Sequence, residues 1–147
     1  MSSTACVKPK EITAAHVLAV LHDIATAEAD RVDPRSEAGL LPRYLHRGQP
    51  NCLAARVLAR LGYPTSVLRA LDREFPTGEL VHGGVQIAHS RHPSLRRLDD
   101  NARALLQHLQ TQQDRGWPWG RIIKQAATRS KWFSRRHEKT RKPWLFA

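Results

Sequence analysis

The sequence predicts a mainly α fold: a compact bundle of about five helices that admits a small β-hairpin insert and ends in a basic C-terminal arm. Three observations predict it. Apolar residues recur at helical spacing in separate stretches, glycines and prolines fall between those stretches, and positive charge crowds into the residues after position 115.

At 147 residues with 41% hydrophobic content, the chain has the size of one domain and enough apolar side chains for one modest core. After a polar leader over residues 1–10, Val17, Val20, Leu21 and Ile24 follow the i, i+3, i+4, i+7 pattern and predict a helix over about residues 11–30. Asp33-Pro34 marks the break behind it, because proline pushes the preceding residue out of helical geometry. A loop through Arg47-Gly48-Gln49-Pro50 leads to Asn51, a candidate N-cap for a second helix whose Leu53, Val57, Leu58 and Leu61 share a face. Gly62 supplies the left-handed residue that closes this helix. Tyr63 and Pro64 then separate it from Thr65, another cap candidate, and from a third helix marked by Leu68, Leu71 and Phe75.

From Glu79 to Ile87, two short apolar arms flank Gly83-Gly84, a pair suited to the positive φ angles of a two-residue hairpin turn. Asp99 and Asp100 stand at the start of a fourth helix with Ala102, Leu105, Leu106 and Leu109 on one face, closing near Gly116. Trp117-Pro118-Trp119 opens a fifth, with Pro118 in the first turn and Trp119, Ile122, Ile123 and Ala126 sharing a face. The plan is a leader over 1–10, a helical domain over 11–127 and a basic aromatic arm over 128–147.

The formal charge of +11 is unevenly placed. Residues 1–114 carry 14 Lys or Arg against 12 Asp or Glu, whereas residues 115–147 carry 10 against 1. Such a block of like charge points to an acidic partner. The expected function is therefore a non-enzymatic nucleic-acid-binding protein, DNA before RNA. Its contacts would be Arg121, Lys124, Arg129, Lys131, Arg135, Arg136, Lys139, Arg141 and Lys142, each able to neutralise a phosphate, with Trp132 and Phe133 offering flat faces to bases. The alternative is a protein-interaction module that docks the arm on an acidic host protein, with Trp144 and Phe146 as its apolar anchor.

Two stretches have the spacing of a helix-turn-helix. In Ala54–Arg73 the turn falls at Gly62 and Arg69 and Arg73 would face a major groove, but Asp72 and Glu74 on the same helix would repel phosphate. The second runs from Leu105 to His137, and its weakness is Ala126-Ala127-Thr128, which lacks a residue that would break the helix.

Catalytic signatures are weaker. Cys52 at the first turn of an apolar helix serves burial as well as reactivity, and the carboxylates form no pair suited to acid–base work. His82, His89 and His92 match no zinc-ligand spacing, so neither a metal nor another cofactor is expected. Apolar runs stay far below the roughly 20 residues of a membrane span, and no secretory signal opens the chain. A cytoplasmic setting follows, in which Cys6 and Cys52 remain free thiols.

The stretch Tyr44 to Gly62, YLHRGQPNCLAARVLARLG, with Gln113-Asp114-Arg115-Gly116 and Pro118-Trp119-Gly120, resembles a pattern in small uncharacterised helical proteins of actinobacteria and their phages. The resemblance implies a bacterial or phage setting and carries no activity or site residue with it. The long middle segment and the basic arm depart from shorter, less basic members of that group.

Overall fold

The computed structural model describes residues 11–33, 43–74 and 85–128. It is mainly helical, with a small two-stranded antiparallel hairpin. Helix α1 spans Ala14–Ala27. Thr13 caps it in a reciprocal arrangement: its hydroxyl accepts from His16 N–H, and the His16 ring nitrogen accepts from Thr13 N–H at 3.1 Å. That is a capping box with histidine in the place usually taken by Glu or Gln. Val17, Leu21, Ile24 and Ala25 are among its buried residues, so the apolar spacing read from the sequence is the face that enters the core. The helix is shorter at both ends than expected, and it starts late because Ile12 is used in a bridge alongside Leu98. Ile12 N–H donates to Arg97 O at 2.7 Å, and Asp99 N–H donates to Ile12 O at 2.9 Å.

Strands β1 (Leu45–His46) and β2 (Gln49–Pro50) pair with Leu45 opposite Pro50 and His46 opposite Gln49. The expected loop through residues 47–50 is therefore a hairpin, turning on Arg47 and Gly48 at φ of 52° and 77°. Two consecutive positive φ values are the signature of a type I′ turn, whose twist matches that of the strands it joins. The hairpin expected around Gly83-Gly84 falls mostly outside the described residues. Its second arm is not a strand: Ile87–His89 form a single 3₁₀ turn.

Helix α2 covers Leu53–Arg60 and α3 covers Thr65–Arg73, joined by Leu61-Gly62-Tyr63-Pro64. Gly62 sits at φ 104°, a conformation that an L side chain resists, and this allows so short a turn. Neither expected cap is used. Asn51 instead donates its side-chain amide to Arg43 O, and Thr65 lies inside α3 behind the N-cap Pro64. The start of α2 is satisfied from a distance: Leu53 N–H donates to Asp33 at 3.1 Å and Ala54 N–H to Gln113 Oε1 at 2.9 Å.

After a second 3₁₀ turn over Pro93–Arg97, helix α4 spans Asp100–Asp114, with Asp99 accepting from Ala102 N–H at its N-terminus. Gly116 at φ 87° follows its end. Residues 119–128 form helix α5. Helix α4 is central: α1, α2 and the Ile87–His89 turn all pack against it, and α1 also packs on α2. Trp119, Ile122 and Ala126 bring α5 into the same core. The start of α5 is fastened to the chain behind α1, since Trp119 N–H donates to Arg31 O and Gly120 N–H to Ala29 O, both at 2.8 Å.

Polar side chains are built into this core. Gln110 accepts from Ile87 N–H and donates to the Tyr44 hydroxyl, which itself donates to Val85 O. These bonds hold the otherwise irregular residues 85–87 and the hairpin's entrance on α4, so that the buried donors there are paired. No helix among the described residues is long and apolar enough to cross a membrane.

Candidate nucleic-acid interface

Of the arm residues expected to bind, Arg129, Lys131, Trp132, Phe133, Arg135, Arg136, Lys139, Arg141, Lys142, Trp144 and Phe146 lie outside the described residues. Arg121 and Lys124 are exposed on α5, with the Arg121 guanidinium 3.7 Å from the centroid of the Trp117 ring. The second helix-turn-helix candidate loses its turn where it was expected, because Ala126, Ala127 and Thr128 continue the helix.

The first candidate lies wholly within the described residues. An eight-residue helix, a four-residue turn containing glycine and a nine-residue helix have the proportions of a helix-turn-helix. Val67, Leu68 and Leu71 anchor α3 inward, while Thr65, Ser66, Arg69 and Arg73 are exposed. At 100° per residue these four fall within an arc of about 100°, a single open face.

The acidic residues that argued against this helix are turned away from that face. Asp72 is buried, and its two carboxylate oxygens accept from Tyr44 N–H at 2.8 Å and Leu45 N–H at 3.0 Å. Burial pushes its carboxyl above the ordinary aspartate value, while the two N–H donors and the nearby Arg43 pull it back. Glu74 closes the opposite flank, accepting from the Ser90 hydroxyl at 2.6 Å and from Arg91 N–H. Each acid thus ties α3 to a neighbour: Asp72 to the hairpin, Glu74 to the chain at Ser90.

That chain runs along α3 in the opposite sense. Ser90 and Arg91 meet Glu74 just after the helix, and Ser94 O accepts from the Tyr63 hydroxyl just before it, at 3.0 Å. The helix therefore lies between the hairpin and residues 90–97. Arg43 and Arg47 are exposed on the hairpin side, Arg91 and Arg96 on the other, with Arg69 and Arg73 between them. Among the described residues of 43–98, the acids are Asp72 and Glu74 alone, and both are engaged in this way. The helix start adds to the positive character, because no side chain caps it and the helix dipole is positive at that end.

The exposed Arg43, Arg47, Arg91 and Arg96 are hidden by a charge count divided at residue 115. A finer count finds them: residues 43–98 carry nine Lys or Arg against three Asp or Glu, residues 11–42 carry two against six, and residues 99–114 one against three. The near-neutral body is a basic middle balanced by acidic flanks.

A different cluster sits at the start of α2. Asp33 is buried and accepts from Leu53 N–H and from the Trp119 indole N–H, each at 3.1 Å, while its second oxygen has no hydrogen-bond partner among the described residues. Burial raises its pKa from 3.8 to about 6, opposed by those two hydrogen bonds and by Arg31. Glu28 bridges Arg31 and Arg56 at 3.0 and 2.6 Å, and both guanidiniums lie over the Trp119 ring. Cys52, beside this cluster, is fully enclosed, and burial pushes its thiol up to about 12, so it holds its proton and is a poor nucleophile. His92 is occupied in capping the Pro93–Arg97 turn, His89 is exposed, and His82 lies outside the described residues. The arrangement is that of a packed structural joint.

The chain matches no protein-family model, no curated protein and no solved structure.

Proposed function

We propose that the protein is a non-enzymatic DNA-binding protein in which α3 enters the major groove of the duplex. The observation that carries this reading is the engagement of both acids away from that face, Asp72 buried against the hairpin backbone and Glu74 held by Ser90 and Arg91, which leaves Thr65, Ser66, Arg69 and Arg73 exposed together and flanked by exposed arginines. Arginine pairs with guanine edges and with phosphate, and Ser and Thr hydroxyls serve either. The major groove of B-form DNA admits a helix, whereas the deep, narrow groove of A-form RNA does not. Among the described residues no Phe, Tyr or Trp is exposed, so any stacking on unpaired bases would fall to Trp132 and Phe133 of the arm, outside α3. The basic arm adds sequence-independent attraction to phosphate through its seven Lys and Arg over residues 128–147.

Fluorescence-anisotropy titration of the intact protein with labelled duplex DNA, single-stranded DNA and duplex RNA tests this. Duplex DNA is expected to bind most tightly, with affinity falling as salt rises. Equal affinity for all three, unchanged by Arg69→Ala but lost with Arg135→Ala/Arg136→Ala, would move the function from α3 to the arm.

A further inference from the structure

Arg47 is the one non-glycine residue at positive φ among the described residues. A long side chain in the left-handed region is strained, and the turn type favours Asn-Gly or Gly-Gly over Arg-Gly. The hairpin needs only a tight turn at this point, so its own stability does not call for arginine. Strain held at an exposed tip asks for a use.

The setting of the tip suggests one. Both hairpin strands pack on α3, and the Asp72 carboxylate grips the backbone at Tyr44 and Leu45 as the chain enters β1. Asn51 N–H returns to Tyr44 O at 2.8 Å, closing the base of the hairpin. The two-residue turn leaves no slack between base and tip. The backbone at Arg47 is therefore held in place next to α3, with the side chains of Arg47, His46 and Gln49 exposed.

We infer that the hairpin tip is a second DNA-contacting element, in which the Arg47 guanidinium engages a backbone phosphate flanking the groove that α3 occupies. This inference rests on the proposed DNA-binding role of α3. A phosphate is the fitting target because the tip offers one fork of donors and no apolar wedge: Arg47, Gly48, His46 and Gln49 are all polar or without a side chain. A positioned charge of this kind fixes the register of the protein on the duplex without reading sequence.

The test is Arg47→Asn, which installs the preferred residue for the turn. An Arg47 that touches no DNA predicts a variant of equal or higher thermal stability and unchanged binding. A phosphate-contacting Arg47 predicts equal or higher stability together with weaker binding to a labelled mixed-sequence DNA duplex about three helical turns long. In a potassium chloride series, the slope of log affinity against log salt should become shallower by about 0.9, the loss of one phosphate contact. A wild-type slope in Arg47→Asn, alongside a reduced one in Arg69→Ala, overturns the hairpin contact and leaves α3 as the interface. Absence of salt-dependent duplex binding by the wild-type protein overturns both.

Discussion

Replacing Asp33 by asparagine should change how stability depends on pH, in a direction opposite to that of most carboxylates. Folding buries this carboxyl and raises its pKa from 3.8 to about 6. The folded protein therefore holds the Asp33 proton more tightly than the unfolded chain does. Its contribution to stability is full below pH 3.8 and is lost as pH climbs through about 6. At 1.36 kcal/mol per pKa unit the loss is about 3 kcal/mol, an order-of-magnitude figure. Asparagine keeps the shape and one oxygen to accept from Leu53 N–H and the Trp119 indole, but it does not ionise. Urea unfolding followed by far-UV circular dichroism should show the two proteins close in stability at the acidic end of this window. The Asp33→Asn variant should then draw ahead as pH rises, with its lead approaching about 3 kcal/mol above pH 7. Taking the difference between the proteins removes the titration of groups that do not interact with Asp33. Parallel stability curves across the window would overturn the assignment, because the carboxylate would then ionise as readily folded as unfolded.

Gln113→Ala removes the acceptor for Ala54 N–H at a fully buried helix start, and denaturant unfolding should register a loss of about 1–3 kcal/mol. Gly62→Ala places a side chain at φ 104° with open space around it, so the cost is backbone strain alone, about 1–2 kcal/mol, read as a lower midpoint of thermal unfolding. Gly120→Ala fails for a different reason: its Cβ would stand 3.1 Å from both the Cβ and the carbonyl oxygen of Ala29, and it should lower the unfolding midpoint by loosening the joint between α5 and the chain behind α1.

The helices were legible wherever an apolar face had to be buried. Val17, Leu21 and Ile24, or Leu105, Leu106 and Leu109, recur at a spacing that only a helix brings to one side, and all are buried. Gly62 was legible too, because few residues other than glycine tolerate its φ. Long-range choices were not. Asn51 and Thr65 carry the right groups to cap their own helices, yet Asp33 and Gln113, 20 and 59 residues away from the groups they accept from, serve the start of α2. Nothing local in the sequence says which of two capable acceptors will be nearer once the chain has packed. The hairpin was misplaced for a related reason: Gly83-Gly84 announces a turn, whereas Arg47-Gly48 hides one behind a residue that is strained at positive φ.

The exposed face of α3 was half legible. Arg69 and Arg73 could be placed on a helix from their spacing, but Asp72 lies next to Arg73 in sequence and threatened to spoil the same surface. Its direction is decided by the hairpin N–H groups that it meets, and those come from residues 27 and 28 positions away. A carboxylate given two backbone donors is oriented by them rather than by solvent. Averaging charge over residues 1–114 then concealed the basic middle of the chain, since the acids that balance it belong to α1, α4 and the residues around them.

Whether α3 is the DNA-binding element is decided by the salt-dependent affinity of the intact protein for duplex DNA, measured beside Arg69→Ala/Arg73→Ala. The exposed side chains of Arg69 and Arg73 make no hydrogen bond or ion pair among the described residues, so their removal leaves the fold intact. The expected result is an unaltered unfolding midpoint and clearly weaker binding, with the salt slope shallower by about 0.9 for each of the two arginines that meets a phosphate and unchanged for one that reads a base. A double variant that binds duplex DNA with the wild-type affinity and slope would show that α3 does not touch it.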